Sequence, residues 1–115
     1  MNVLRLAASF AVVIACTSVD HAAEPKVSFT RQIKPILSNK CFVCHGPDEK
    51  ERQAELRLDI RDEAVPSVIK PGDGAHSEVF VRITSDDPDL KMPPVKSKRP
   101  VLTADEIALV RRWID

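Results

Sequence analysis

Cys41-Phe42-Val43-Cys44-His45 lies in the first half of the chain, and its spacing reads as an attachment site for a c-type haem. Residues three apart share a face of a helical turn, so both thiols can reach the two vinyl groups along one porphyrin edge and form thioethers. His45 follows at once and brings an imidazole under the iron, where histidine is a standard proximal ligand. Two other chemistries use a Cys-x-x-Cys pair, half of a tetrahedral zinc site and a thioredoxin-type dithiol. A zinc site would need Cys41, Cys44 and either His45 or His76, yet His45 directly abuts Cys44 and no second cysteine pair or His-x-His group follows. Dithiol chemistry needs a strand-helix-strand context that the flanking sequence does not supply. The expectation is one covalently bound haem c, with Cys41 and Cys44 as thioether sites and His45 as proximal iron ligand.

A sixth iron ligand is expected downstream, in Lys91-Met92-Pro93-Pro94. A thioether is a soft donor, and Met/His ligation raises the reduction potential. The two prolines after Met92 fix φ and remove backbone donors, which makes a stiff loop able to hold a flexible side chain in one place. Met92 is one of two methionines, the other being the initiator. Its other reading is a gap-filling core residue. His76, in Gly72-Asp73-Gly74-Ala75-His76-Ser77, is the rival ligand, although a polar turn of this kind more simply carries a solvated histidine.

The chain of 115 residues holds one domain at most. Arg5 followed by the apolar run from Leu6 to Ala15 reads as a secretory signal, too short to span a membrane. Two processing routes compete. Val13-Ile14-Ala15-Cys16 resembles a bacterial lipobox, which would make Cys16 a lipidated first residue, while Ala22-Ala23 before Glu24 offers an ordinary small-residue cut, weakened by His21. The expected division is a signal peptide over 1–23, or one cleaved before Cys16, and a haem domain over 24–115. Export to the periplasm follows, either free or membrane-anchored through Cys16.

Formal net charge is zero, with 17 basic and 17 acidic side chains, so no strong field recommends nucleic acid as a partner. Locally, Lys91, Lys96, Lys98 and Arg99 surround the methionine loop. They form either a solvated face or a patch that steers an acidic redox partner.

Ser28 is placed to cap a helix whose apolar positions Phe29, Ile33, Ile36 and Leu37 recur at helical spacing. Pro35 should kink that helix or shift its start. Gly46-Pro47-Asp48 ends the haem turn, and a carbonyl near Pro47 is a candidate acceptor for the His45 Nδ1 proton. Leu56, Leu58 and Ile60 alternate with charged residues and predict a brief extended segment, and Pro66, Pro71, Gly72 and Gly74 predict loop. Residues 77–83 suit a short helix or a strand, of which the helix is chosen. Thr103-Ala104-Asp105-Glu106 is a capping box with Leu102 and Ile107 as its staple, opening a helix with the stripe Ile107, Val110 and Ile114. Trp113 is assigned to packing against the first helix. These elements predict an all-α chain with a small class I cytochrome c-like fold and irregular loops, in which the porphyrin supplies much of the core.

The chain resembles the planctomycete-type cytochrome c domain. The resemblance lies in the opening helix from Val27-Ser28-Phe29 to Ile36-Leu37, Cys-Phe-Val-Cys-His-Gly-Pro-Asp over 41–48, Leu56-Arg57-Leu58-Asp59, Lys70-Pro71-Gly72-Asp73, Asp86-Asp87-Pro88, Met92-Pro93-Pro94 and the stretch from Leu102-Thr103 to Trp113-Ile114-Asp115. It implies the same assignment of Cys41, Cys44, His45 and Met92. Members commonly continue into large additional domains, whereas this sequence stops at Asp115, as a free-standing domain or a part of a longer protein. The expected function is an electron-transfer haem protein, not an enzyme, that passes single electrons between exported partners. The alternatives are a haem enzyme or sensor with an open or displaceable distal site, and a haem module serving a partner oxidoreductase or hydrolase.

Overall fold

The chain enters its first helix through a π turn, Phe29–Ile33, before a regular α-helix, α1 (Lys34–Lys40), takes over. A proline ring crowds the carbonyl four residues back, here that of Arg31, and the wider turn gives it room: the Lys34 N–H donates to the Phe29 carbonyl, five residues away. Pro35 thus shifts the start of the α-helix, as expected. Ser28 holds the N-cap position, but its hydroxyl does not cap. Its own N–H donates instead to Gln32 Oε1 at 2.8 Å.

The computed structural model describes residues 22–115. The signal peptide expected over 1–23, with its alternative cleavage before Cys16 and the lipid anchor that route would leave, falls outside the described residues apart from Ala22 and Ala23. After α1 come α2 (Arg61–Ala64), a 3-10 turn (Gly74–His76), α3 (Glu78–Thr84), a second 3-10 turn (Val95–Ser97) and α4 (Ala104–Ile114). Among the described residues the chain is helical and has no strand, in keeping with the all-α expectation. No helix among them is long and apolar enough to cross a membrane.

The extended segment expected over Leu56, Leu58 and Ile60 does not form. Ala54 and Glu55 both take left-handed backbone, with φ of 56° and 50°, and the Leu56 N–H closes a turn onto the Gln53 carbonyl at 3.2 Å. Alternation alone cannot make a strand where no neighbouring strand offers a ladder. The short α2 and the 3-10 turn at Gly74 likewise stand where loop was expected, while α3 is the helix chosen for 77–83.

The packed centre lies where the π turn, α1, α3 and α4 meet. Ile33 and Val110 are essentially inaccessible, and Ile36, Leu37, Ile83, Leu102 and Ile114 are buried around them. Each such side chain contributes about 1.5–3 kcal/mol relative to exposure. Trp113 packs on the first helical segment, its ring 5.5 Å from that of Phe29. The capping box of α4 is complete, with Glu106 N–H donating to Thr103 Oγ1 and Thr103 N–H to Glu106 Oε2. At the other end, the Gly72 N–H donates to the Ile114 carbonyl at 2.8 Å and the Gly74 N–H to Asp115 Oδ1 at 2.6 Å. The Gly72 N–H therefore serves an orphan carbonyl at the C-terminus of α4. Gly72 has a φ of +82°, which glycine adopts without a steric penalty. The fully buried Ser77 hydroxyl closes the same loop by accepting the Lys70 N–H and donating to the Asp73 carbonyl.

Candidate functional site

α1 runs directly into the Cys-x-x-Cys-His stretch. The Cys41 and Phe42 N–H groups both donate to the Leu37 carbonyl, and the Cys44 and His45 N–H groups both donate to the Cys41 carbonyl, at 3.1 and 2.9 Å. This tight turn puts Cys41, Cys44 and His45 in the wall of a single cavity. Gly46 ends it in a place with no room for a side chain, because a Cβ there would lie 2.2 Å from the Phe42 carbonyl oxygen.

The loop 51–58 then folds back over the turn. The Gln53 N–H donates to the Cys44 carbonyl at 2.7 Å, the Leu58 N–H to the His45 carbonyl at 2.9 Å, and His45 Nδ1 meets the Gln53 carbonyl at 3.2 Å. The acceptor for His45 is thus Gln53 rather than a carbonyl near Pro47. The Gly46 and Pro47 carbonyls accept instead from Arg52, at 3.0 and 3.1 Å. With Nδ1 as donor, Nε2 keeps its lone pair for a metal. Burial holds the His45 imidazole below its ordinary pKa, opposed by the Gln53 carbonyl and helped by the charge of Arg82, so the neutral, ligating form is favoured.

Facing this wall, the Met92 N–H donates to the Arg82 carbonyl of α3 at 3.0 Å, and Met92, Pro93 and Pro94 line the same cavity. Its volume is about 630 Å³, within the roughly 300–1,000 Å³ of cofactor sites. Val43, Leu56, Leu58, Val68, Val79 and Ile83 supply apolar walls. Two thiols and an imidazole on one short turn, a thioether on another segment and an apolar enclosure make a donor set that fits a covalently attached haem. The two other readings of the cysteine pair fit less well. Burial pushes the Cys41 thiol up to about 11, with Lys40 opposing and Cys44 adding to the rise, whereas a redox dithiol needs a depressed value. Among the described residues no group of three or more His, Cys, Asp or Glu side chains could hold a metal ion, so no zinc set is assembled.

His76 lies elsewhere. Its Nδ1 sits 2.8 Å from Asp73 Oδ1 and its side chain is 77% exposed, and it does not line the cavity.

Most charges that line the cavity are matched. Arg57 forks onto Asp59 at 3.0 and 2.6 Å, and this hydrogen bonding holds the Asp59 carboxyl below its usual range. Arg82 pairs with Glu78 one turn earlier at 2.6 Å, and Lys40 pairs with Glu106. Arg99 also lines the cavity, is exposed, and has no carboxylate partner among the described residues. Sequence reasoning missed Gln53 because it acts through its carbonyl, which every residue carries. Arg82 left one trace, its spacing of four from Glu78.

A model of the family described as Planctomycete cytochrome C matches residues 41–96. This is the family that the motifs resemble, and the matched segment runs from the first haem-motif cysteine past Met92 and the prolines. A cytochrome c family implies covalently bound haem c and electron transfer rather than catalysis. No curated protein and no solved structure matches the chain.

Proposed function

We propose that this chain, whose segment 41–96 matches the planctomycete cytochrome C family, is an exported monohaem c-type cytochrome that passes single electrons between partner proteins. The observation that carries the reading is the single cavity lined by Cys41, Cys44 and His45 from one turn and by Met92 from a second segment. Cys41 and Cys44 would hold the porphyrin through thioethers, and His45 Nε2 and the Met92 thioether would be the side chains offered to the iron. The haem, when bound, supplies a one-electron Fe(III)/Fe(II) couple. The chain's own residues hold it in a largely apolar enclosure, keep His45 neutral through burial, and fix its tautomer through the Gln53 carbonyl. Arg99 is the cation left over to meet a haem propionate. Exposed Lys96 and Lys98 beside the methionine loop suit an acidic redox partner.

Glu78 and Arg82 line the same cavity as Met92, which is the feature that favours the second reading, a haem enzyme or sensor in which Met92 leaves the iron. Acid-acetone extraction of the denatured, loaded protein tests the main reading: the colour should stay with the polypeptide. Release of all haem into the solvent would defeat it. Slow reaction of the oxidised protein with cyanide supports the carrier, and rapid, saturable binding supports the enzyme or sensor.

A further inference from the structure

The two carbonyls that follow His45 are both taken by one side chain. Arg52 Nε donates to the Gly46 carbonyl and Nη2 to the Pro47 carbonyl, and among the described residues Arg52 has no ion pair. The next residue, Gln53, supplies the carbonyl that His45 Nδ1 meets. That bond is 3.2 Å long and open to solvent, at the far end of the N–H···O range, so water competes for it unless the carbonyl is held in place.

The backbone immediately beyond is strained. Ala54 and Glu55 are consecutive left-handed residues, neither a glycine, at about 1–2 kcal/mol each. Such a conformation persists only where its surroundings over-determine it. On one side lie the Arg52 clasp and the Gln53 N–H on the Cys44 carbonyl, and on the other the Leu56 N–H on the Gln53 carbonyl and the burial of Leu58 with its N–H on the His45 carbonyl. Without the clasp, the Gln53 carbonyl would be held only by the Gln53 N–H on the Cys44 carbonyl and by the Leu56 N–H, and the strained pair would be free to draw it away from His45.

We propose that Arg52 is a positioning residue for the iron ligand: by clasping the Gly46 and Pro47 carbonyls it holds the Gln53 carbonyl against His45 Nδ1 and so sets how strongly His45 donates to iron. The inference rests on the reading of His45 as the proximal ligand. A hydrogen bond from Nδ1 makes the imidazole a more basic ligand, which favours ferric iron. Loss of the clasp therefore raises the reduction potential.

The test compares loaded wild-type and Arg52→Met proteins by potentiometric titration and by amide hydrogen exchange. The Fe(III)/Fe(II) equilibrium should move toward the ferrous side by about tenfold, ~59 mV for a one-electron couple. The Gln53 and Leu58 amides should exchange roughly tenfold faster, as expected of a loop whose local opening has become easier. Arg111→Met is the control, since Arg111 pairs with Asp115 and stacks on Phe80 at the far end of α4; it should lower Tm and leave the potential alone. Where Arg52→Met does not accumulate, Arg52→Gln carries the same expectation at smaller size, because one amide group cannot span both carbonyls. Unchanged potential and exchange in the Arg52 variant overturn the proposal, as does an equal shift in Arg111→Met. His45→Ala separates this from the ligand reading: if it keeps the wild-type spectrum, His45 is not the ligand and the underlying reading is what fails.

Discussion

The Lys40 ammonium and the Glu106 carboxylate meet at 2.5 Å across 66 residues of sequence, joining the residue before Cys41 to the third residue of α4. Glu106 also accepts the Thr103 N–H, and Lys40 also donates to the Val101 carbonyl at 2.9 Å. The cap of the last helix and the start of the haem motif are therefore one hydrogen-bonded unit, and the Lys40 side chain is only 10% exposed within it.

Lys40→Met should lower stability by about 1–2 kcal/mol, read as a fall in the denaturation midpoint at neutral pH. The Lys40 hydrogen bond, with help from Thr103, holds the Glu106 carboxyl below its ordinary value. The stabilisation is accordingly complete above the unfolded carboxyl range and is lost as pH falls through the lowered folded value. Wild type should lose stability more steeply in acid than Lys40→Met. Parallel curves would show that the pair contributes nothing.

Gly46→Ala should destabilise by roughly 2–3 kcal/mol or more. The atom its Cβ would meet is a backbone oxygen, that of Phe42, which cannot swing aside as a flexible side chain could. Thermal denaturation within about 0.5 kcal/mol of wild type would mean that the turn after His45 is looser than its geometry indicates.

Met92→Ala should abolish the weak far-red absorption that marks methionine on ferric haem iron. It should also lower the potential, because the thioether that favours ferrous iron is gone, and speed the binding of azide and cyanide. If spectrum and binding rates match wild type, Met92 is a packing residue.

Ile33→Ala should cost about 2–5 kcal/mol, since Ile33 is wholly inaccessible at the junction of the first helical segment and α4. The haem spectrum of the folded protein should stay unchanged. A shifted spectrum would show that the packed centre and the cavity are not separable.

Local chemistry made some of the architecture legible. The Thr103 and Glu106 side chains needed only each other, so the capping box was readable three residues apart, and Pro35 acted on its own helix. The Cys41 to His45 turn and the methionine loop were equally visible, and the structure brings all four named side chains to one cavity. What escaped was set by distant or unsigned groups. The alternation at Leu56 and Leu58 looked like a strand, but its register comes from left-handed backbone at Ala54 and Glu55, residue types that give no warning of it. The partner of His45 is a carbonyl. The role of Gly72 and Gly74 depends on the end of α4, some forty residues further on.

The packed centre and the cavity share α3, where Ile83 serves both, and draw most of the rest of their residues from different stretches of chain. Helices converge on Ile33 and Val110, while the stretch Ala54 to Leu58, all turn and loop, supplies one part of the wall. To a protease, a chain still lacking its haem would offer the charged, largely exposed loop over 47–55 as the cutting site. Filling the cavity would close it, so the half-life of the polypeptide would become a gauge of successful maturation.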